Sequence, residues 1–375
     1  MLRMRVLHMY NVLGAVSERP WLEVAQLGAT EGWQAVLAYE TRAGECPEVG
    51  LPTVQVGRVA ATAVLADVEA ELERLAVGPR CVEGVFDVIH GHLGTRLLLA
   101  WPFLAGGPKR VPLVLSLYGY DCSRLLRDEC WGRRYKLAAQ RGAVFVVLCE
   151  AMKRRLMMEG IDETAIRVIR LGIDPRLWEM RQEQPAGRCK FVFVGRLVEK
   201  KGVDVLIEAV EELTRTGEHV WVEIVGDGPL RSDLERMVVS KGLTESVTFA
   251  GGVAREAVRD KLRGATAFVL PSKLANDGDS EGTPIVLMEA QAMGVPCVTT
   301  DHVGNAEVIC PQGRELVATE GSARSLADAM RRFLKLDDRA RADLARAGRA
   351  WIEQRYDIRK TAEEYRRLYI KLAAE

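Results

Sequence analysis

No stretch of about twenty apolar residues occurs in this sequence, so no transmembrane helix is expected. Charge of one sign is not in excess either: Lys+Arg and Asp+Glu both number 52. That removes any global pull toward nucleic acid, although local patches remain possible. Low-complexity tracts, a Walker A loop and a GxGxxG fingerprint are all missing. Eight cysteines stand at 46, 81, 122, 130, 149, 189, 297 and 310, with no CxxC pair among them. Several sit in apolar runs ("VVLCE", "VPCVTT"), which reads as reduced, mostly buried thiols of a cytosolic protein rather than disulfides. The start, "MLRMRVLHMYNVLGAVSE", mimics a signal peptide. His8, Tyr10 and Asn11 interrupt it, however, and it reads better as a first strand and its loop.

What is present is the composition of a globular chain: 375 residues, 48% hydrophobic and 28% charged, enough for two domains of ordinary size. Short β-rich runs alternate with helical periodicity. Candidate strands in the first half are "MRVLHMY", "QAVLAYE", "FDVIHGH", "VPLVLSL", "AVFVVLC" and "AIRVIRL". Helix-like stretches such as "ATAVLADVEAELERLAV" separate them. The second half restarts with "KFVFVGR", "HVWVEIVG", "SVTFAGG", "ATAFVLPS" and "VPCVTT". Strands that are apolar throughout, with helices between, predict parallel α/β sheets covered on both faces. The segment "DPRLWEMRQEQPAGRC" before the restart is polar, contains Pro and Gly, and reads as a linker. The expected architecture is two doubly wound, Rossmann-like domains facing a central cleft. The first covers 1–175 and is completed by a C-terminal helix at 358–375; the second covers 188–357. Ligands of such sheets bind beyond the carboxyl ends of the strands.

Three stretches of the second half carry candidate chemistry. In "FVFVGRLVEKKGVDVLIEAV" a strand ends at Gly195. Arg196, Lys200, Lys201 and Gly202 follow, and then a helix with a buried face. Glycines, fixed cations and a helix N-terminus suit phosphate; a solvated basic turn is the plain alternative. "VEIVGDGPLRSDLERMV" runs a strand into Gly226, Asp227, Gly228 and Pro229; it supports the fold more than the site. In "DGDSEGTPIVLMEAQAMGVPCVTT", Thr283 is expected to cap a helix and Pro284 to occupy its first turn. Gly282 allows close approach of a ligand, and the helix end favours an anion. Glu281 would lie at the mouth of that site. Glu289 is either an ordinary helix acid or an acceptor for sugar hydroxyls. Phosphate on the helix end and hydroxyls on the acids together describe a nucleotide-sugar.

In the first half, "VIHGHLGTR" and "LSLYGYDCS" follow strands. His90 and His92 are read as pointing to opposite faces of their sheet, and two histidines alone are not a metal site. Asp121, in a Gly-Tyr-Asp turn, can hold a hydroxyl. Residues 123–155 are locally basic, and "CEAMKRRLMMEG" reads as an amphipathic basic helix. It is either a solvated face or one that meets anionic lipid or an anionic acceptor.

These pieces, in this order, resemble the retaining glycosyltransferases of family 4, which have the GT-B fold. "VGRLVEKKG", "VGDGPL", "LPS…DGDSEGTPIVLMEAQAMGVPCVTT" and "WIEQRYDIRKTAEEYRRLY" carry the resemblance over essentially the whole chain. The E-x7-E spacing of Glu281 and Glu289 is a specific signal of that family. "KLANDGDSEG", "VSERPWLEVAQL" and "IHGHLGTR" look most like the colanic-acid and exopolysaccharide branch. The resemblance implies transfer of a sugar from a UDP- or GDP-sugar to a hydroxyl acceptor, with retention, no metal and no other cofactor. It implies that Arg196 and Lys201 bind the donor diphosphate and that Glu289 holds the ribose. Glu281, with the Gly282-Thr283-Pro284 backbone, would contact the sugar and phosphate. Gly195 and Gly226 would line the donor site, and Gly14 would lie in a loop closing over the phosphates. Acceptor-side candidates are His92, Tyr118 and Asp121. Where the family often has "HGxD", this chain has "YGYD", with Tyr118 in the histidine's place. The usual "GG.PE" turn is "VGNAEV", with Glu307 matching the acid and no proline. The acceptor is a carbohydrate, a lipid-linked sugar or a small molecule, not nucleic acid. A cytoplasmic location, with peripheral contact at an anionic membrane, is the accompanying expectation. The rival readings are a two-lobed binding protein without turnover and a nucleotide-sugar epimerase or phosphorylase of the same fold.

Overall fold

The structure is a computed structural model and describes residues 4–13, 22–27, 33–42, 51, 53–55, 86–105, 111–182 and 189–375. Gly14, the helix-like stretch 61–77, Cys46 and Cys81 lie outside the described residues. The chain divides into two compact units. One comprises Met1–Leu171 together with Ile358–Glu375, and the other Gly172–Asp357.

The first unit carries a seven-stranded sheet of β1 (Met4–Leu13), β2 (Trp33–Arg42), β3 (Thr53–Gln55), β4 (Val88–His92), β5 (Leu113–Ser116), β6 (Val144–Val147) and β7 (Ile166–Val168), in the order β3-β2-β1-β4-β5-β6-β7. The second carries a six-stranded sheet of β8 (Lys190–Val194), β9 (Trp221–Val225), β10 (Val247–Gly251), β11 (Ala267–Leu270), β12 (Cys297–Thr300) and β13 (Val317–Ala318), in the order β10-β9-β8-β11-β12-β13. All pairings are parallel. Each sheet reverses its winding once, between β1 and β4 and between β8 and β11, and these switch points are where doubly wound sheets leave a crevice.

The apolar runs explain the layering. Phe191, Val192 and Phe193 of β8 are fully buried, as are Phe268, Val269 and Leu270 of β11. The helix Val203–Arg215 turns Val203, Leu206, Ile207, Val210 and Leu213 onto that sheet. Two glycines hold the strand ends together. Gly202 adopts φ 65°, and a Cβ there would lie 1.9 Å from the Pro271 carbonyl oxygen. Gly226 adopts φ 143°, and its Cβ would lie 1.9 Å from the Gly195 carbonyl oxygen. Only glycine meets both demands.

The helix Ile358–Ala374 belongs to the first unit, where Tyr365 and Tyr369 are fully buried. The segment expected to be a linker is partly core. Trp178 is fully buried in the second unit, with the guanidinium groups of Arg255 and Arg259 over its ring at 5.6 and 5.2 Å. A polar sequence average hides this one large apolar anchor. The described cysteines are all free thiols, and Cys122, Cys149, Cys297 and Cys310 are buried.

Candidate functional site

The richest polar cluster of the second unit lies beyond the ends of β8 and β11, beside that sheet's switch point. After β8 the chain turns through a 3-10 helix, Glu199–Lys201, ending at the left-handed Gly202. This turn delivers two lysines to the loop that follows β11. Lys201 Nζ lies 3.1 Å from Glu281 Oε2. Lys200 Nζ lies 3.0 Å from Asp279 Oδ2 and 3.8 Å from Glu281 Oε1, and it donates to the Ser280 carbonyl at 3.4 Å. Burial alone would raise the Glu281 pKa, but Lys201 and Lys200 bring it below the usual glutamate value. The carboxylate is therefore held ionised. Arg196 is exposed, and its side chain makes no ion pair among the described residues.

The helix Ile285–Ala292 starts next to this cluster. Pro284 occupies its N-cap position with ψ 117°, and no side chain caps the helix. This corrects the expectation that Thr283 caps and Pro284 enters the first turn. Proline's extended ψ keeps it outside the helix, which leaves Thr283 one residue too early. The buried Thr283 Oγ1 and Glu281 Oε1 find no hydrogen-bond partner among the described residues. Buried polar atoms are normally satisfied, so two such atoms beside an open helix N-terminus mark a place suited to a polar ligand. Glu289 is buried on the same helix, with Arg255 Nη2 3.5 Å from its Oε1. Gly195 donates its N–H to the Val225 carbonyl, and Gly226 to the Gly251 carbonyl. These two glycines thus fix how closely the strand ends approach. Sequence reasoning missed His302 and Glu320. His302 is buried, accepts the Glu281 N–H at Nε2 (3.1 Å) and lies 2.7 Å from Glu320 Oε2 through Nδ1.

In the first unit the register of β1 against β4 sets His8 beside His90. His90 and His92 do not point to opposite faces: their ring centroids lie 4.0 Å apart. A spacing of two residues in a strand returns to the same face, and both rings join His8 there. His8 Nδ1 and His92 Nε2 are 3.0 Å apart, and His92 Nδ1 is 2.5 Å from the Tyr118 hydroxyl. His90 pairs with the Tyr369 and Ser116 hydroxyls, and Ser116 in turn with Tyr365. Burial lowers all three imidazole pKa values, that of His8 to about 3. The three rings are therefore neutral, and their nitrogens lie close enough together to share an ion. Asp121 is fully buried and accepts the N–H groups of Gly94, Tyr118 and Gly119. Burial pushes its pKa up, against the pull of those amides. It orders its own turn rather than offering a surface for a hydroxyl. On the basic helix Glu150–Met158, Lys153 pairs with Glu163 and Arg155 with Glu159, while Arg154, Met157 and Met158 stay exposed.

Known proteins resemble the chain in sequence and in fold. The family model "Glycosyltransferase Family 4" matches residues 28–177, and "Glycosyl transferases group 1" matches 178–351. WcaL of Escherichia coli, a glycosyltransferase assigned to colanic acid biosynthesis, is 30% identical over 272 residues, 72% of this chain and 67% of the relative. The amylovoran biosynthesis glycosyltransferase AmsK of Erwinia amylovora is 32% identical over 57% of this chain and 53% of its own length. Among solved structures, the sucrose-phosphate synthase of Thermosynechococcus elongatus superposes with a TM-score of 0.78 at 18% identity, covering 99% of this chain and 100% of that one. Anabaena HepE in complex with UDP-glucose gives 0.75 at 18% identity, covering 98% and 100%. No described helix is long and apolar enough to cross a membrane. With both halves matched in order and a relative 30% identical over two thirds of its length, the chain belongs to glycosyltransferase family 4, the group 1 glycosyl transferases, and has their GT-B fold.

Proposed function

We propose that the chain moves a sugar, with retention, from a UDP- or GDP-sugar to a hydroxyl acceptor, in the assembly of an exopolysaccharide or related glycoconjugate. The observation that carries this is the second unit's cluster: two lysines and an uncapped helix end face a buried, ionised Glu281. Cations and free N–H groups suit a diphosphate, and a fixed carboxylate suits sugar hydroxyls. Arg196, exposed in the same turn after β8, binds the diphosphate with Lys201. The Gly282-Thr283-Pro284 backbone and the Thr283 hydroxyl contact phosphate and sugar, and Glu289 takes the ribose hydroxyls. During transfer the bond from the anomeric carbon to the diphosphate breaks and one to the acceptor oxygen forms. The acceptor's proton leaves with the diphosphate. Negative charge grows on the leaving group, and prearranged cations and helix dipole are the usual means of stabilising it.

Relatives lend support to the donor class. A Mycobacterium tuberculosis enzyme 34% identical over 46% of this chain is a GDP-mannose-dependent mannosyltransferase, and the HepE structures hold UDP or UDP-glucose. Tyr118 remains an acceptor-side candidate, with the buried His92 acting on it through its hydroxyl. The exposed Arg154, Met157 and Met158 support peripheral contact with anionic lipid at the cytoplasmic face.

The deciding experiment is calorimetric binding of UDP, GDP and ADP, each with and without magnesium, to wild type and to Arg196→Ala. Tight, magnesium-independent binding of one nucleotide that weakens in the variant supports the reading. Binding of none refutes it and favours the two-lobed binding protein. Sugar transfer to a hydroxyl acceptor then separates a transferase from an epimerase.

A further inference from the structure

We propose that His302 and Glu320 form a positioning clamp that sets the Glu281 loop for donor chemistry. The inference rests on the function proposed above and adds two residues to it. His302 Nε2 accepts the Glu281 backbone N–H at 3.1 Å. An acceptor at Nε2 puts the ring proton on Nδ1, where it is donated to Glu320 Oε2 at 2.7 Å. The imidazole is thus locked in one tautomer by the acid behind it. Such an outer partner commonly orients the group that does the work.

Glu320 holds the other end of the same loop. Its Oε1 accepts the Leu274 N–H at 2.6 Å, and its own N–H is given to Asp301 Oδ1 at 2.8 Å. One carboxylate therefore ties down Leu274 directly and Glu281 through His302, the two ends of the insertion after β11. Between them the insertion closes on itself through Ala275 N–H to the Asp279 carbonyl at 3.0 Å. From another side, Lys200 grips Asp279 and the Ser280 carbonyl. The backbone beside the imidazole is itself constrained. Val303 has φ 38°, a region that β-branched residues avoid. With the Glu281 amide fixed, its carboxylate has one approach to Lys201, and the amides of Gly282 and Thr283 follow in register toward the helix end. His302 and Glu320 need not touch the donor; they act through Glu281.

The test uses the full chain. His302→Leu removes both hydrogen bonds at similar volume, His302→Gln keeps an acceptor near Nε2, and Glu320→Ala removes the acid. Hydrogen exchange at the Glu281 amide, affinity for UDP and GDP, and kcat for sugar transfer are measured on each. The expected result is rapid amide exchange and a kcat loss of about 10²-fold in His302→Leu, the scale of a small misplacement in a reacting site. Nucleotide affinity should fall far less than kcat, and His302→Gln should recover part of the exchange and kcat losses. Slow amide exchange in a folded His302→Leu, equal loss of nucleotide binding and kcat, or no gain from glutamine over leucine would each overturn the clamp. Should His302→Leu fail to fold, Glu320→Ala applies the same criteria. If wild type transfers no sugar, the proposed function fails, and amide exchange alone still decides the clamp.

Discussion

Lys201 Nζ and Glu281 Oε2 stand 3.1 Å apart, joining the turn after β8 to the loop after β11. The pair makes the carboxylate's charge a property of the fold. Because the folded pKa of Glu281 is lowered, its stabilisation is full above the ordinary glutamate range of about 4.3. It is lost as pH falls through the lower folded value. Glu281→Gln should therefore flatten the acid limb of the unfolding curve below about pH 4.5. It should also cut sugar transfer more than nucleoside diphosphate binding. Parallel loss of both would remove Glu281 from the sugar.

Arg196, exposed in the turn after β8, is predicted to contribute about 1.5–3 kcal/mol to diphosphate binding, the range for hydrogen bonds to a charged group. Titration of Arg196→Ala with the preferred nucleotide measures this. Unchanged affinity would place the diphosphate elsewhere.

Gly226→Ala should destabilise the second unit by more than about 1 kcal/mol, since both φ and space exclude a side chain. Gly217→Ala is the control. Its φ is 91°, but nothing lies within 4 Å of the added carbon. Chemical denaturation of both variants separates the collision with Gly195 from backbone strain. Equal losses would mean that the Gly195 contact relaxes freely.

The neutral histidines of the first unit predict acid sensitivity. The unfolded chain binds protons below a pH of about 6.5, while the folded rings resist them. Stability should then fall by about 1.4 kcal/mol per pH unit for each such histidine. For His8 the loss runs down to a pH of about 3. His8→Leu should lower the number of protons taken up on unfolding at pH 5 by about one. A wild-type slope in that variant would show that His8 titrates normally.

The buried strands were legible because "KFVFV" and "AFVL" are apolar on both faces and admit no other placement. β3 and β13 were not, because three and two residues are too short to carry a period. Glu281 and Glu289 could be read from their spacing around one helix. The cap at Thr283 was misread because residue type alone does not reveal the ψ of Pro284. His302 and Glu320 escaped because β12 and β13 bring them together and no local pattern links them. His8 escaped for the same reason, its partner being set by the β1–β4 register.

The helix Ile358–Ala374 supplies Tyr365 and Tyr369 to the hydroxyl–imidazole network around His90. A ribosome therefore makes most of the first unit early but completes it last. Until the final helix arrives, Ser116 and His90 each lack a native partner, while Gly172–Asp357 already has all of its own chain. The order in which the units complete themselves during synthesis should be the reverse of the order in which they begin: second unit first, first unit only once Ile358–Ala374 has emerged.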